Sequence, residues 1–402
     1  MLIARRSLLA GTMAAVHSAR AAVQSAPPVS VGVIGSGGRG QLLARVFQED
    51  GGARVNAICD VYEPNLEKSL SLVSQRQPAP ARAYRDYRRL LEDRSIEAVI
   101  IGTPEHWHAR QVLDALAAGK DVYVEKPLCR TPEEGVALVR AEEKTDRIIQ
   151  VGMQRRSYDL YLEGRKLVAA GELGTVRMVR SWWLNNHLED GGREVKLEGP
   201  LDWDEWQGPM ETRVPLNPHL FRNWRHYSAY AGGIMADQGA HVYDGIHLLM
   251  GAGYPAAVTA AAGRPHKKGV DTPETVVVTA EYPEDFIAVF TINYAAMRYQ
   301  SRNDQMNHLD GDRGRMDIGR IECRVHRAGD EDKAAILKTS EKGFGYATTL
   351  HVLNFLECVR TRRKPTAPMR LGFQAALVTQ MANLSLKQGR RIRWDAAAWR
   401  VS

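Results

Sequence analysis

The most constraining feature of this 402-residue sequence is a glycine loop between an apolar run and a helical pattern. In VSVGVIGSGGRGQLLARVF, the glycines follow the spacing G-x-G-x-x-G between a predicted strand and a predicted helix. Gly35 permits the tight turn, Gly37 allows close approach to the backbone, and Gly40 lets the helix pack on the strand. Free N–H groups and the helix dipole favour an anion there, so the context predicts a dinucleotide fold. We expect the phosphates to bind along Gly35, Ser36, Gly37, Gly38, Arg39 and Gly40.

The next predicted strand, RVNAICD, ends at an acidic residue, Asp60. A carboxylate at the end of the second strand accepts hydrogen bonds from the adenosine ribose hydroxyls and repels a 2′-phosphate. This position therefore favours NAD over NADP, although Arg39 could pair with a phosphate and complicate the choice.

Strand-like and helix-like segments continue to alternate through IEAVIIGTP, HARQVLDALAAGK, DVYVEKPL and RIIQVGMQRR. This alternation predicts an α/β fold with a parallel sheet, and ligands of such sheets bind beyond the carboxyl ends of the strands. Polar clusters at residues 103–108, 125–127 and 154–156 all fall on that edge. The length favours two domains, and we place the dinucleotide-binding domain at 27–150 and a substrate and oligomerisation domain at 151–402.

The first 26 residues have the pattern of an export leader and hinge. Arg5 and Arg6 precede a modest apolar run, and Ala19-Arg20-Ala21 offers a small-x-small cleavage site. The adjacent arginines predict a twin-arginine signal, and hence a periplasmic or other extracytoplasmic protein exported in the folded state. A disordered terminus with a chance arginine pair is the alternative.

Composition limits the possible partners. The chain carries 54 Lys and Arg against 47 Asp and Glu, a formal charge of +7, which falls to +4 without the three leader arginines. This mild excess gives no reason to expect nucleic acid, and the sequence predicts no membrane span.

Four widely spaced cysteines with no C-x-x-C pair are predicted to be free thiols: Cys59, Cys129, Cys323 and Cys358.

The stretch GTPEHWHARQVLDALAAGKDVYVEKPL resembles the matching segment of the glucose-fructose oxidoreductase, inositol dehydrogenase and rhizopine-catabolism family, called Gfo/Idh/MocA. LDWDEWQGP, NPHLFRNWR and GGIMADQGAHVYDGIHLLMG are similar to its exported branch. The resemblance implies an N-terminal Rossmann domain and a C-terminal α/β domain built on an open, mostly antiparallel sheet. It also implies that the exposed face of that sheet forms homo-oligomers and that the last helices pack back on the first domain.

The resemblance also implies roles for particular residues. Lys126 of the EKP motif would touch the nicotinamide ribose and the reacting hydroxyl, and Asp237 and His241 would complete the catalytic group. Gln154 would lie near the nicotinamide, where many relatives carry Asn or His. The remaining predicted cofactor contacts are Thr103, Pro104, His106, Trp107, His108 and Glu125, and Glu105 would lie beside them.

ADQGAHVYDGIH places Asp237, His241 and Asp244 on one face of a predicted helix, with His247 to the side. A histidine is suited to remove a hydroxyl proton near neutral pH, and a lysine can stabilise the developing alkoxide. Two His and two Asp are also plausible metal ligands, but an organic cofactor and a lysine replace the Lewis acid, so we predict no metal.

Aromatic and basic side chains precede that helix and suit a sugar as substrate. We predict substrate contacts for Arg155, Arg225 and Asp244, consider Arg222 a further candidate, and interpret WDEWQGP as a structural loop.

Three functions follow from this pattern. The leading hypothesis is an NAD(P)-dependent oxidoreductase that transfers a hydride from a sugar, polyol or glycoside hydroxyl to a tightly bound nicotinamide. The second is an NAD-dependent glycoside hydrolase or lyase that uses transient oxidation and elimination. The third is a catalytically silent sugar-binding protein of the same fold. Lys126 and His241 favour the first hypothesis.

Overall fold

The computed structural model describes residues 27–49, 52–186 and 195–402. The predicted leader, residues 1–26, lies outside the described residues. Within these ranges, none of the helices has both the length and the apolar character needed to cross a membrane.

The first domain is built on a parallel sheet whose strands follow the order β3-β2-β1-β4-β5-β6. Its central strands are apolar and buried on both faces, as expected for a parallel sheet covered by helices. The chain order reverses between β1 and β4, and ligands bind beyond the strand ends at such a switch point. The strands are β1 (Val29–Ile34), β2 (Ala53–Cys59), β3 (Arg82–Tyr84), β4 (Ala98–Ile101), β5 (Asp121–Val124) and β6 (Ile149–Val151).

Helices connect these strands, and two of them begin with side-chain caps. Asp86 accepts a hydrogen bond from the Arg88 N–H, and Thr131 forms a reciprocal capping box with Glu134. These helices are α1 (Gly38–Gln48), α2 (Glu63–Ser74), α3 (Tyr87–Glu92), α4 (Glu105–Ala117) and α5 (Pro132–Glu142). The observed parallel sheet confirms the predicted Rossmann architecture.

The second domain is built on a larger sheet with the order β14-β13-β12-β11-β7-β10-β9-β8-β15-β16. Neighbouring strands are antiparallel except β7 and β10, so the prediction of an open, mostly antiparallel sheet is confirmed. The strands are β7 (Val176–Leu184), β8 (Ala257–Ala262), β9 (Thr275–Tyr282), β10 (Phe286–Asn293), β11 (Gln305–Gly311), β12 (Gly314–Gly319), β13 (Glu322–Arg327), β14 (Ile336–Thr339), β15 (Ile392–Asp395) and β16 (Arg400–Val401).

Helices cover the inner face of this sheet, where alternate residues of each strand are buried. Helix α9 (Gly233–Met250), which lies between β7 and β8 in the sequence, is buried almost all round and carries the ADQGAHVYDGIH motif. The helices from 159 to 250 are α6 (Asp159–Ala169), α7 (Trp203–Gln207), α8 (Pro218–Asn223) and α9 (Gly233–Met250), with 3₁₀ turns at Gln154–Ser157 and Trp224–His226.

Two C-terminal helices, α10 (Tyr346–Thr361) and α11 (Met369–Gln388), lie between β14 and β15 of the large sheet in the sequence. The buried side of α10 joins the core of the first domain, where Phe355 makes edge-to-face contacts with Phe47 and Tyr123. Helix α11 packs against both α9 and α5, and it therefore contacts the two domains at once. Helices α10 and α11 thus stabilise the first domain.

All four cysteines are buried and unpaired, which confirms the prediction of free thiols. Burial raises the pKa of Cys323 to about 12 and that of Cys358 to about 11. The thiolate forms needed for nucleophilic chemistry are therefore disfavoured, and these residues act as small core side chains.

The packing of α10 into the first domain predicts a large stability effect at Phe355. Replacing this fully buried ring by alanine removes its contacts with Phe47 and Tyr123 and should lower the free energy of unfolding by about 3–5 kcal/mol. Urea unfolding followed by far-UV circular dichroism measures the change. The control is Leu216→Ala, because Leu216 is 51% exposed; equal effects of the two variants would contradict this packing.

Candidate active site

Two cavities meet at the carboxyl edge of the parallel sheet. The first has a volume of about 310 Å³ and is lined by the glycine loop, Asp60 and the aromatic residues of α7 and α8; we call it the glycine-loop cavity. The second has a volume of about 300 Å³ and contains Lys126, Asp237 and His241; we call it the lysine cavity. The residues that line both are Arg39, Gly102, Thr103, Trp224 and Arg225. The two cavities are therefore adjacent, separated by no more than these shared side chains and backbone.

The glycine loop has the geometry that a dinucleotide needs. Gly35 has a φ of 81°, and a Cβ on Gly40 would lie 2.0 Å from the Gly35 carbonyl oxygen. A Cβ on Gly37 would meet only the Asn65 amide, at 3.6 Å, and one on Gly38 would meet nothing within 4 Å. Gly35 and Gly40 therefore shape the loop itself, while Gly37 and Gly38 leave their outer side open for phosphate oxygens.

Asp60 fixes this loop from the end of β2. Its Oδ2 accepts hydrogen bonds from the N–H of Ser36 at 2.7 Å and from the Ser36 hydroxyl at 3.2 Å, and its Oδ1 accepts from the Tyr62 N–H at 2.9 Å. Burial raises the pKa of Asp60, but these donors favour the ionised carboxylate. The same side chain lines the glycine-loop cavity, where its remaining lone pair can accept from a ribose hydroxyl.

Arg39 and Glu125 link the glycine loop to the EKP motif. The Arg39 guanidinium donates to Oε1 of Glu125 at 2.7 Å, and both side chains line the lysine cavity. Gln154 lies beside them, and its Oε1 is buried without a hydrogen-bond partner among the described residues. Gln154 thus lines the cavity where we predicted the nicotinamide, and the carboxamide of that ring carries an N–H donor of the kind that this acceptor lacks.

A buried ion pair joins the two domains at the lysine cavity. The Lys126 ammonium donates to Oδ1 of Asp237 at 2.5 Å and to the Asp237 carbonyl oxygen at 2.9 Å, and Arg225 lies 3.6 Å from the same Oδ1. Burial alone would raise the pKa of Asp237, but the charges of Lys126 and Arg225 outweigh it and hold the pKa well below its usual value. Asp237 is therefore ionised at every physiological pH, and it orients the ammonium.

His241 lies one helical turn after Asp237 and lines the same cavity. Burial, followed by the positive charges of Lys126 and Arg155, lowers its pKa well below the ordinary value. The ring is therefore neutral near pH 7 and has a lone pair available to accept a proton. Trp183 lies beside it, with ring centroids 6.3 Å apart.

Two predicted substrate residues occupy positions that differ from the expectation. Arg155 is only 2% exposed and lies behind His241, where it donates to the His241 carbonyl oxygen at 3.2 Å. Asp244 is fully buried and forms an ion pair with Arg156 at 2.5 Å. Asp244 therefore neutralises the buried Arg156 guanidinium, which the sequence pattern did not predict as a site residue, and is not free to contact a substrate. Arg225, in contrast, lies at the junction of the two cavities.

The TPEHWH segment contributes part of the wall of the site, but Glu105 and His106 line neither cavity. Thr103 and Pro104 line the glycine-loop cavity, and the Trp107 indole donates to the Trp206 carbonyl oxygen at 3.0 Å.

The two histidines of this segment are buried. His106 contacts the Trp206 carbonyl oxygen at 2.9 Å, and burial lowers the pKa of His106 to about 3, so it is neutral. The ring nitrogens of His108 lie 2.7 and 2.9 Å from the carbonyl oxygens of Pro127 and Thr103.

The WDEWQ segment, which we interpreted as a structural loop, is instead the short helix α7. Asp202 caps it by accepting from the Glu205 N–H, so the local sequence D-W-D-E explains the helix. Glu205 and Trp206 line the glycine-loop cavity, as do Asn65, Arg85 and Arg222. Because these residues come from distant parts of the chain, only the tertiary structure shows that they share one wall.

The described residues, 27–49, 52–186 and 195–402, contain no cluster of three or more His, Cys, Asp or Glu side chains that could hold a metal ion. His247, which we weighed as a ligand, lies 2.8 Å from the Tyr282 hydroxyl through Nε2.

The crowding at Gly40 gives a prediction for cofactor binding. Gly40→Ala should push the loop away from β1 and weaken nucleotide affinity by at least about ten-fold, because the new Cβ would overlap the Gly35 carbonyl. Isothermal titration with NAD measures the effect. Gly345→Ala is the control, since a Cβ there meets nothing within 4 Å; unchanged affinity in Gly40→Ala would count against the loop as the phosphate site.

Two family models match the chain. Residues 29–153 match the oxidoreductase family with an NAD-binding Rossmann fold, and residues 161–317 match the Gfo/Idh/MocA C-terminal domain. The matched ranges contain the glycine loop, the EKP motif, Asp237 and His241.

Curated relatives match a part of the chain. An inositol 2-dehydrogenase from Paracoccus denitrificans is 39% identical over 144 residues, which cover 35% of this chain and 41% of that protein. An α-N-acetylgalactosaminidase from Shewanella oneidensis is 36% identical over 124 residues, 30% of this chain and 27% of the relative. The chain thus spans less than half the length of these relatives.

Solved structures match nearly the whole fold. A levoglucosan dehydrogenase in complex with NADH and levoglucosan is 21% identical with a TM-score of 0.71, covering 91% of this chain and 99% of that one. The WlbA dehydrogenase from Bordetella pertussis, in complex with NADH and UDP-GlcNAcA, is 18% identical with a TM-score of 0.69 over 92% and 99%. These likenesses confirm the fold, and the two family models, which together match most of the chain, show that it belongs to the Gfo/Idh/MocA family.

Proposed function

We propose that this protein is an NAD-dependent oxidoreductase that removes a hydride from a carbon bearing a hydroxyl group in a sugar, polyol or glycoside. The observation that carries the proposal is the lysine cavity. There, an ammonium paired with an ionised carboxylate and a neutral histidine lie together, directly beside the glycine-loop cavity.

The chain's own groups supply the acid–base chemistry. Bound in the two adjacent cavities, NAD would accept the hydride. His241 takes the proton from the substrate hydroxyl, and its neutral ring is suited to this because burial disfavours the imidazolium before the reaction. Lys126 stabilises the negative charge that develops on the oxygen, while Asp237 holds the ammonium in place. The fixed positions of these side chains avoid reorganisation during the step.

The preference for NAD rests on Asp60. Its carboxylate lines the glycine-loop cavity and is fixed by Ser36 and Tyr62, so it would repel a 2′-phosphate at that position. Arg39, the cation that could have accommodated such a phosphate, is paired with Glu125 instead.

The substrate class rests on the groups around the junction of the cavities. Trp224 and Arg225 offer an aromatic face and a donor that suit a hydroxylated ring, and the Arg225 guanidinium lies 4.2 Å over the Trp224 ring. An inositol dehydrogenase and a levoglucosan dehydrogenase are among the similar proteins, and both act on polyhydroxylated rings.

A second candidate is redox-neutral glycoside cleavage, because glycosidases are among the partial matches. In that reaction, transient oxidation to a ketone acidifies a neighbouring C–H, loss of that proton expels the aglycone by elimination, water adds to the resulting double bond, and the hydride then returns to the ketone carbon. Incubation with aryl glycosides and no electron acceptor separates the two functions. Repeated turnover under these conditions would establish the glycosidase, whereas the leading proposal predicts at most stoichiometric release. A silent sugar-binding protein would give neither reaction.

We also propose that the protein is exported in the folded state with its cofactor bound. The Arg5-Arg6 pair and the apolar run after it support export. A dinucleotide reduced outside the cytoplasm has no ready route back to an oxidant, so an exported enzyme benefits from keeping it through turnover, with a second sugar as the hydride acceptor.

We propose homo-oligomers through the outer face of the large sheet. The outward side chains there include Met178, Val277, Ile287 and Leu337, which are 39–55% exposed. Exposed apolar side chains on one sheet face are typical of an association surface.

Lys126→Met and His241→Asn test the chemical roles. Both variants should lower kcat by at least about 100-fold, because the oxyanion loses its cation or the hydroxyl loses its base. The affinity for NAD should change far less, since the glycine loop is intact. NADH formation is measured against a panel of polyols, free sugars and glycosides. Lys166→Met, which removes a half-exposed ammonium on α6, is the matched control. Full activity in either site variant would remove that residue from the mechanism.

A further inference from the structure

The first residue of α4, Glu105, is a buried carboxyl group that the reaction above does not use. It is 2% exposed and is absent from the described residues that line either cavity. Its Oε2 accepts a hydrogen bond from the Gly232 N–H at 2.9 Å, whereas its Oε1 is buried without a partner among the described residues. A buried carboxyl group with one unsatisfied oxygen is costly unless it carries a proton.

The hydrogen bond to Gly232 matters because Gly232 is the residue before α9. That helix begins without a side-chain cap of its own, and Glu105, from the other domain, fixes its N-cap residue by accepting from the Gly232 N–H. The Asn383 amide holds the same position from α11 by donating to the Gly232 carbonyl oxygen at 3.0 Å. The start of the helix that carries Asp237 and His241 is therefore fixed by Glu105 on one side and by Asn383 on the other.

Several charges surround Glu105. Asp237 on α9 repels its ionised form. Lys126 after β5 and Arg225 in the 3₁₀ turn attract it. The Cys129 thiol, on the loop after the EKP motif, is neutral because burial raises its pKa. Burial and then Asp237 raise the pKa of Glu105 to about 7, against an ordinary value of 4.5. An ionised Glu105 would add a second buried carboxylate close to the Lys126–Asp237 pair.

Resting on the proposed oxidoreductase function, we propose that Glu105 is a positioning residue that carries a proton in the active enzyme. In this form it fixes the start of α9 through Gly232 and leaves Lys126 paired with Asp237. When Glu105 loses the proton, its carboxylate competes for the Lys126 ammonium, and the cation moves away from the reacting oxygen. Activity should therefore fall as the pH rises through about 7, although Glu105 touches neither cavity.

The first test uses stability and needs no substrate. Below pH 4.5, Glu105 is protonated in both the folded and the unfolded state. Between pH 4.5 and about 7, only the folded state keeps the proton, so rising pH destabilises the wild type relative to Glu105→Gln, and above about pH 7 the difference is complete. We expect the ratio of the two unfolding constants to change on the order of 10- to 100-fold between about pH 5 and pH 8. Glu133→Gln, which removes an exposed carboxylate, is the control.

The second test uses kinetics with NAD and the best polyol or sugar found. Glu105→Gln keeps an acceptor for the Gly232 N–H and cannot ionise, so its kcat should match that of the wild type below pH 7 and stay high above it. Glu105→Ala leaves that N–H without its acceptor and should lower kcat on the order of ten-fold or more, with little change in NAD affinity.

The outcomes separate this inference from the proposed function. A pH-independent difference in stability between Glu105→Gln and the wild type would contradict the proposal that Glu105 carries a proton in the folded protein, whether or not any substrate is turned over. Equal loss of activity above pH 7 in both proteins would overturn the positioning role while leaving the oxidoreductase in place. If the wild type oxidises none of the panel, the proposed function and the positioning role both fail, and the stability result still reports on the proton.

Discussion

The ion pair between Lys126 and Asp237 is the interaction on which the site depends. It joins the end of a Rossmann strand to the central helix of the second domain, and both side chains are almost completely buried. Removing one partner from a buried pair leaves an uncompensated charge, which commonly costs about 3–5 kcal/mol. The pair therefore fixes the relative position of the two domains as well as the position of the ammonium. This contact, the hydrogen bond at Gly232 and the packing of α11 against α9 and α5 together hold α9 against the first domain, and so bring His241 close to the glycine loop.

The charges in the lysine cavity also determine which groups carry protons. Lys126 and Arg225 hold Asp237 ionised, and burial together with Lys126 keeps His241 neutral. An ionised carboxylate, Asp237, and a neutral base, His241, thus lie one helical turn apart on α9, and the charge of Lys126 lowers the pKa of both. Pairs of titratable groups whose surroundings separate their pKa values are typical of acid–base catalysis. Packing alone does not explain this combination, because burying polar and charged groups costs folding free energy.

The sequence predicted the elements whose signal is local. The strand–glycine–helix pattern predicted the first domain, and the family resemblance implied the second sheet; both agree with the structure. The placement of Arg155 and Asp244 differed from the expectation because helical periodicity gives the face of a residue but not its partners. Asp244 points inward to Arg156, and Arg155 supports the backbone of α9. The helix at WDEWQ and the wall that it forms with Asn65 and Arg222 depend on long-range contacts, which no short motif encodes. The role of Glu105 was hidden for the same reason, since its partner Gly232 lies 127 positions away.

The central claim is that a nicotinamide dinucleotide stays bound in the two adjacent cavities. It is tested most directly by purifying the mature protein without added nucleotide, denaturing it, and identifying and quantifying any nicotinamide that is released. The account predicts close to one NAD or NADH for each chain. A protein that is empty and cannot be loaded with NAD would contradict it, because the glycine loop and the lysine cavity would then have no common ligand.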